Sequence, residues 1–270
     1  MSRVALLKLN WEGVDGSVWH IRTTGPVARG VMLDAPSGLV SNPSRSTSAN
    51  STGRGVRVGG YSFPEMEGTL ALRVFADTPA GMTLGEVYDG LLASLSTIEE
   101  GRLVVVDGRG LEWSSDQVLM TKEPAPPATS PHAFGLRDVQ VDVPLTVLDG
   151  VMSRHTTWGD TTTAGVATVA NRGNLPAYPV LRWDGETRQV VTPRGVTVDL
   201  PKAAGWRRLS TDPGTGYVIT DDAGNVDVDA WASMRGLAVP GEIMPRATAD
   251  WTLPVGVELL LAEYRTNVWR

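Results

Sequence analysis

Apolar and polar positions alternate with a period of two along most of this chain, which is the spacing of strands that bury one face. The clearest case is 139–147, where Val139, Val141, Val143, Leu145 and Val147 share one face and Gln140, Asp142, Pro144 and Thr146 the other. Pro144 has no amide hydrogen to give, so this strand is predicted at a sheet edge or with a bulge. A first hairpin is predicted from Leu6 to Arg22 around the turn at Gly13, Val14, Asp15 and Gly16. Val56 and Val58, then Leu70, Leu72 and Val74, give two further strands. Residues 103–106 and 111–121 form another hairpin, with Asp107 and Gly108 supplying the turn.

One segment changes period. Leu84, Val87, Tyr88, Leu91, Leu92 and Leu95 recur at three and four, a single stripe of an α-helix. Thr83 and Glu86 form a capping box at its start, each side chain satisfying a backbone amide of the first turn. The stripe is predicted to lie on a sheet. Four prolines within Glu123–Pro131 take the chain out of the sheet afterwards. Beyond a polar stretch, Gly150 to Thr163, short strands recur every eight to twelve residues with no helical stripe. They are predicted at Ala164–Ala170, Val180–Trp183, Gln189–Val191, Val196–Leu200, Arg207–Ser210, Tyr217–Thr220, Val226–Val228, Ala247–Leu253 and Val257–Tyr264. That spacing predicts a second, all-β sandwich and a division into domains 1–150 and 151–270.

Composition adds a long loop and removes several functions. Between Ser41 and Gly55, 12 of 15 residues are Ser, Thr, Gly, Asn or Pro, so 34–60 is predicted as a long loop and a candidate partner contact. Gly and Pro make up 48 of 270 residues, an excess that favours turns over long helices. The net charge is −6, and residues 1–150 hold most of it, with 12 basic against 17 acidic side chains. Such a balance disfavours a sequence-independent grip on nucleic acid. With no cysteine, thiolate catalysis and disulfides are excluded. Val255–Ala262, the most apolar late segment, is far shorter than the roughly 20 residues that span a bilayer, so no membrane insertion is predicted. Met1–Asn10 carries Lys8 inside a short apolar run and lacks a cleavage pattern, so it does not read as a signal peptide.

Reactive constellations are not legible. His20, His132 and His155 lie in separate segments, and neither a nucleophile elbow nor a phosphate-cradling loop occurs. Asp221, Asp222, Asn225, Asp227 and Asp229 loosely follow a calcium-loop spacing but lack the closing glutamate, and a hairpin turn at Ala223, Gly224 and Asn225 explains them better. A glycosidase carboxylate pair is not selected among the 30 acids. No catalytic, metal-binding or cofactor-binding residue is predicted, and no cofactor. Nine tryptophans against three phenylalanines is unusual; Trp206, Trp231, Trp251 and Trp269 are either sandwich core or exposed rings able to stack on sugars or a protein partner.

Residues Asn171 to Gly185, Asn-Arg-Gly-Asn-Leu-Pro-Ala-Tyr-Pro-Val-Leu-Arg-Trp-Asp-Gly, resemble the opening of the C-terminal domain of distal tail proteins of long, non-contractile-tailed phages. The downstream order fits as well: a strand at Val196–Leu200, Tyr217-Val-Ile-Thr-Asp-Asp, a turn, Val226-Asp-Val-Asp, Pro240-Gly241, and a last strand ending at Tyr264-Arg. The resemblance implies a mainly β chain: a tail-tube-like β-sandwich or split barrel with one α-helix, ring-forming, followed by a galectin-like β-sandwich. It implies a non-enzymatic structural virion protein at the tail tip, assembled in the host cytoplasm. A homo-hexameric ring would join the tail tube to the tip hub, baseplate or receptor-binding proteins and let DNA pass through its lumen. A closed ring needs two different matching faces on each subunit. Arg54, Arg57 and Tyr61, at the shoulder of the long loop, are the candidate contacts to a neighbour or the tube. The alternative is a carbohydrate-binding tail adhesin acting through the C-terminal sandwich.

Overall fold

A computed structural model describes residues 6–21, 30–49, 56–159 and 162–269, without the side chains of 6, 7, 45–49 and 56–61. The chain is mainly β, as the alternation predicts, and it divides into two compact units: Met1–Ser153 with Thr266–Arg270, and Arg154–Arg265.

The first unit is built on antiparallel strands β1 (Leu6–Glu12), β2 (Val18–Ile21), β3 (Gly30–Gly38), β6 (Met66–Phe75), β7 (Gly101–Asp107), β8 (Glu112–Met120) and β9 (Asp138–Val147). Between β3 and β6 lie β4 (Ser44–Ala49) and β5 (Val56–Ser62). The order across the sheet is β2-β1-β7-β8-β9-β6-β3. β8 makes the corner, because it pairs with β7 from Glu112 to Val118 and with β9 only through its last residues, Val118–Met120. β2 comes back alongside β3, which gives the sheet its barrel-like closure. Helix α1 (Leu84–Ala93) forms where the stripe predicts it. The Thr83 hydroxyl accepts from the Glu86 amide at 3.3 Å, and the Glu86 carboxylate accepts from the Thr83 amide at 2.7 Å. Leu84, Val87, Tyr88 and Leu91 are buried where the helix packs on β6 and β3. The inward residues of 139–147 join the same core, and Pro144 stands just where β8 ends, so before it β9 pairs on that side with no strand among the described residues.

One expectation fails in this unit. The segment 34–60 is not one long loop: β3 runs to Gly38, and β4 and β5 pair with each other from Ser44↔Ser62 to Ala49↔Val56, with a register shift between Ser46 and Thr47. A Ser/Thr-rich segment has little to bury, but its backbone groups can still satisfy one another across a hairpin. The chain's end also returns here from the second unit. Val40 bridges Asn267, the Ser41 amide donates to Thr266 O at 2.8 Å, the Val268 amide donates to Leu39 O at 3.3 Å, and Val268 is buried in the core. Trp269 Nε1 donates to Gly38 O at 2.8 Å. Gly38 has φ +68°, and a Cβ there would collide with Glu67 O, so only glycine fits this crossing.

The second unit is a two-sheet sandwich. One sheet runs β16 (Ile219–Asp221), β15 (Arg207–Ser210), β12 (Val180–Trp183) and β18 (Val257–Arg265), with β10 (Met152–Trp158) beyond β18. The other runs β11 (Gly165–Ala170), β17 (Thr248–Leu253), β13 (Arg188–Val191) and β14 (Thr197–Leu200). Leu181, Trp183, Leu209, Ile219, Leu259 and Leu261 of the first sheet bury with Val169, Val190, Leu200, Trp251 and Leu253 of the second. Trp183 is fully buried and its Nε1 donates to Pro201 O at 3.1 Å. Glu263, on the core-facing side of β18, is fully buried; it accepts from Arg154 Nη1 and from the Arg172 amide.

Here the pattern misleads once. Val226–Val228 is not a strand: Val226 makes only an isolated bridge to Thr220, and α2 (Val228–Ser233) follows, so the chain has a second, short helix. Asp227 caps it, accepting from the Ala230 amide at 3.0 Å. The polar stretch 150–163 contains β10, whose Ser153 lies opposite Ser114 of β8.

Candidate interaction surfaces

Of the three residues singled out at the loop shoulder, Arg54 lies outside the described residues. Arg57 and Tyr61 sit on β5, their backbones opposite Ser48 and Arg45 of β4; their side chains lie outside the description. This hairpin forms a two-stranded sheet of its own, pairing with no other strand among the described residues. Its feet are tied to the core. Ser41 Oγ donates to Pro64 O at 2.9 Å, and the Leu39 amide donates to Glu67 O at 2.7 Å.

In the second unit, strand alternation turns Leu181, Trp183, Leu209 and Leu259 inward and therefore Arg182, Arg208 and Glu258 outward. The register sets Arg182 opposite both Arg208 and Glu258. Arg182 donates through Nε and Nη2 to the two oxygens of Asp222, at 2.9 and 2.6 Å, and through Nη1 to Glu258 Oε1 at 2.6 Å. Arg208 Nε adds a bond to Asp222 Oδ1 at 2.7 Å. The hydrogen bond from Arg182, helped by that from Arg208, holds the Asp222 carboxyl down at about 2. The Arg182 guanidinium also lies over the Trp206 ring, 4.3 Å from its centroid. Trp206 is half-buried and outside the core of its unit.

The other tryptophans resolve differently. Trp251 is fully buried, Trp231 packs partly on the sandwich core, and Trp269 packs on the first unit. The sequence flagged Trp206 but gave no reason to join it to Arg182, 24 positions away; only the pairing of β12 with β15 does that.

The acidic run behaves as a turn and a cap. Asp221 accepts from the Ala223 and Asn225 amides at 2.9 and 2.8 Å and from Asn225 Nδ2 at 3.0 Å; these bonds, the side-chain one foremost, lower its pKa. Asp227 pairs with Arg207 at 2.7 Å. An open, polar recess of about 260 Å³ lies over Arg207, Asp221, Asn225 and Asp227 to Asp229. Its ionised groups are ion-paired or bound to backbone amides, apart from the exposed Asp229. His132 reaches Asp89 at 3.1 Å, and His20 meets Asn10 at 3.0 Å. Among the described residues, no three His, Asp or Glu side chains gather as a metal site, and no helix is long and apolar enough to cross a membrane.

The fold and these surfaces define a class: a two-unit β protein with a helix-bearing, barrel-like first unit and a sandwich second, presenting hydrogen-bonding and stacking groups. Over nearly its full length it has the fold of the Dit protein of phage SPP1, described as a paradigm of the hub adsorption apparatus in phages infecting Gram-positive hosts. The TM-score is 0.52 at 12% identity, covering 95% of this chain and 98% of that one. A chain of the phage P2 baseplate in its activated, calcium-containing conformation is similar at TM-score 0.43 and 11% identity, covering 97% and 98%. The strontium-containing baseplate gives 0.41 and 10%, covering 95% and 97%. No protein-family model matches the sequence, and no curated protein matches it. The resemblance read from Asn171 to Gly185 is therefore borne out as a likeness of fold.

Proposed function

We propose that this chain is a structural, non-enzymatic component of a phage tail tip: a distal tail protein that joins the tail tube to the tip hub or baseplate. The observation that carries the reading is the match to the SPP1 hub protein across both units in one chain, 95% of this chain on 98% of that one. In this reading residues 1–150 form the ring, six copies closing head to tail through two different faces. The galectin-like domain 151–270 lies outside and presents surface to baseplate or receptor-binding proteins. The β4–β5 hairpin, carrying Arg57 and Tyr61 and adjoining Arg54, reaches the neighbouring copy or the tube. The excess of acid in 1–150 suits a lumen that DNA must traverse without adhering, since like charge removes the attraction to phosphate.

The test is native mass together with negative-stain images of the purified protein, and cross-linking inside purified particles. A six-copy annulus, or self-adducts in particles that involve 44–62, is the expected outcome. Absence of the chain from particles, or particles in which it never cross-links to itself, overturns the reading.

A further inference from the structure

We propose that two copies of this chain join edge to edge through β11 of the second unit, antiparallel across a two-fold axis centred on Thr168, so that one sheet continues from copy to copy. β11 ends its sheet: it pairs with β17 from Gly165↔Leu253 to Ala170↔Thr248 and with no other strand among the described residues. The Asn171 amide donates to Ala247 O at 3.0 Å, and Asn171 O accepts from the Arg246 amide at 2.9 Å. Alternation along the strand therefore turns the backbone groups of Gly165, Ala167 and Val169 toward β17 and those of Val166, Thr168 and Ala170 away from it. Side chains follow the same parity. Val169 is buried in the sandwich core, whereas Val166 is 68% exposed and Thr168 is exposed on the outer face.

An edge of this kind recruits another strand unless charge, proline, a bulge or shortness guards it. β14 and β16, also edge strands of this unit, are guarded: they have four and three residues and carry Asp199 and Asp221. β11 has six residues, Gly-Val-Ala-Thr-Val-Ala, with no charge, no proline and no register shift. Self-pairing then meets two conditions at once: facing residues must lie on the same face of the sheet, and both must aim their backbone groups at the partner. Centring on Thr168 sets Thr168 opposite itself and Val166 opposite the partner's Ala170, which aligns all three outward-aimed residues and gives about six hydrogen bonds. It also covers the exposed Val166 with a cross-strand neighbour. Asp250, which accepts from Thr168 Oγ1 at 2.7 Å, lies one strand further in. The two copies' Asp250 carboxylates thus stand three strand spacings apart, about 14 Å, and repel little at physiological salt. An uncharged edge has no charge with which to select a foreign partner, so the strand that matches β11 in length, parity and register is β11 itself. This pairing is two-fold, whereas ring closure is head to tail, so the two are measured separately.

The chain has no cysteine, so a single introduced thiol reports the register. Facing Cα atoms of a hydrogen-bonded antiparallel pair are about 5.5 Å apart, within reach of a disulfide, whereas the two copies' residues 170 would be about 14 Å apart. The experiment oxidises full-length Thr168→Cys and Ala170→Cys mildly and follows the linked dimer on non-reducing gels. Beside it, native mass is measured for the parent and for Val166→Lys, which places a guarding charge on the edge without touching the core. The expected result is linkage at Thr168→Cys roughly tenfold faster than at Ala170→Cys, and a parent of twice the mass of Val166→Lys. Twelve copies in the parent against six in Val166→Lys fits both this pairing and the ring; six in each leaves the ring and removes the pairing. No linkage at Thr168→Cys, equal rates at the two positions, an unchanged mass in Val166→Lys of unaltered circular dichroism, or linkage in purified particles only to a different protein would each overturn the proposal.

Discussion

Replacing Glu263 or Arg154 tests what holds the entry and exit strands of the second unit together. Arg154 is the unit's first residue, on β10, and Glu263 sits near the end of β18; the Glu263 side chain is 0% exposed and that of Arg154 18%. Removing one partner of a buried pair typically costs about 3–5 kcal/mol, because the other is left charged and unpaired. The two halves are not equivalent here. Glu263→Gln leaves a guanidinium that still reaches some water and an amide oxygen for the Arg172 amide, so the loss belongs at the low end, about 3 kcal/mol. Arg154→Met strands an anion with no access to water, and its loss belongs near 4–5 kcal/mol, roughly a thousandfold in opening equilibrium. Arg154→Met combined with Glu263→Leu removes both charges and fills similar volume, so stability returns to within about 2 kcal/mol of the parent. Two units make a single global transition unsafe as a readout. Hydrogen exchange at the amides of β12 and β18, followed by mass spectrometry, reports the local opening free energy. Losses below about 1 kcal/mol for both single variants, or a double variant worse than their sum, refute the account of a desolvated pair.

Three further outcomes follow from the same structure. Deleting 266–270 unseats the buried Val268 and the Trp269 bond to Gly38, and unit 1 should lose roughly 3 kcal/mol by apolar burial and hydrogen bonding alone; unchanged exchange in β3 and β6 contradicts this. Asp222 titrates at about 2 when folded against 3.8 as its ordinary value, so its contribution is complete above pH 4 and fades as pH falls toward 2. Asp222 is more than a third exposed, so the effect is small and salt-screened; carboxyl NMR that places it near 4 in the folded protein rejects the ion-pair geometry. Thr83→Ala breaks the capping box of α1 and should cost about 1 kcal/mol, read as faster exchange in 84–88; no change there means the cap contributes nothing.

How much was legible varies by element for physical reasons. The stripe from Leu84 to Leu95 and its box at Thr83 and Glu86 gave α1, because cap and stripe are both local and agree. Val180–Trp183 and Arg207–Ser210 were found to the residue, since each strand alternates about a buried face. Val226–Val228 alternates too, yet it gave way to a helix; Asp227 as a cap with Asp229, Ala230 and Trp231 behind it was the signal to weigh. The β4–β5 hairpin was hidden because composition reports what a segment can bury and not whether its backbone finds a partner. The surface at Arg182 and Trp206 was half visible: the tryptophan was singled out, the arginine was not.

By itself the sequence determined the β class, the one amphipathic helix and the presence of a second strand-rich half, because periodicity and turn residues act over a few neighbours. Tertiary structure alone decided that β8 turns the corner between two pairings, that residues 266–269 return to the first unit, and that Arg182, Trp206, Arg208, Asp222 and Glu258 share one face. Those are matters of register and closure between segments far apart in the chain. No local pattern encodes them, because the free energy that selects them comes from groups that meet only once the sheets have formed.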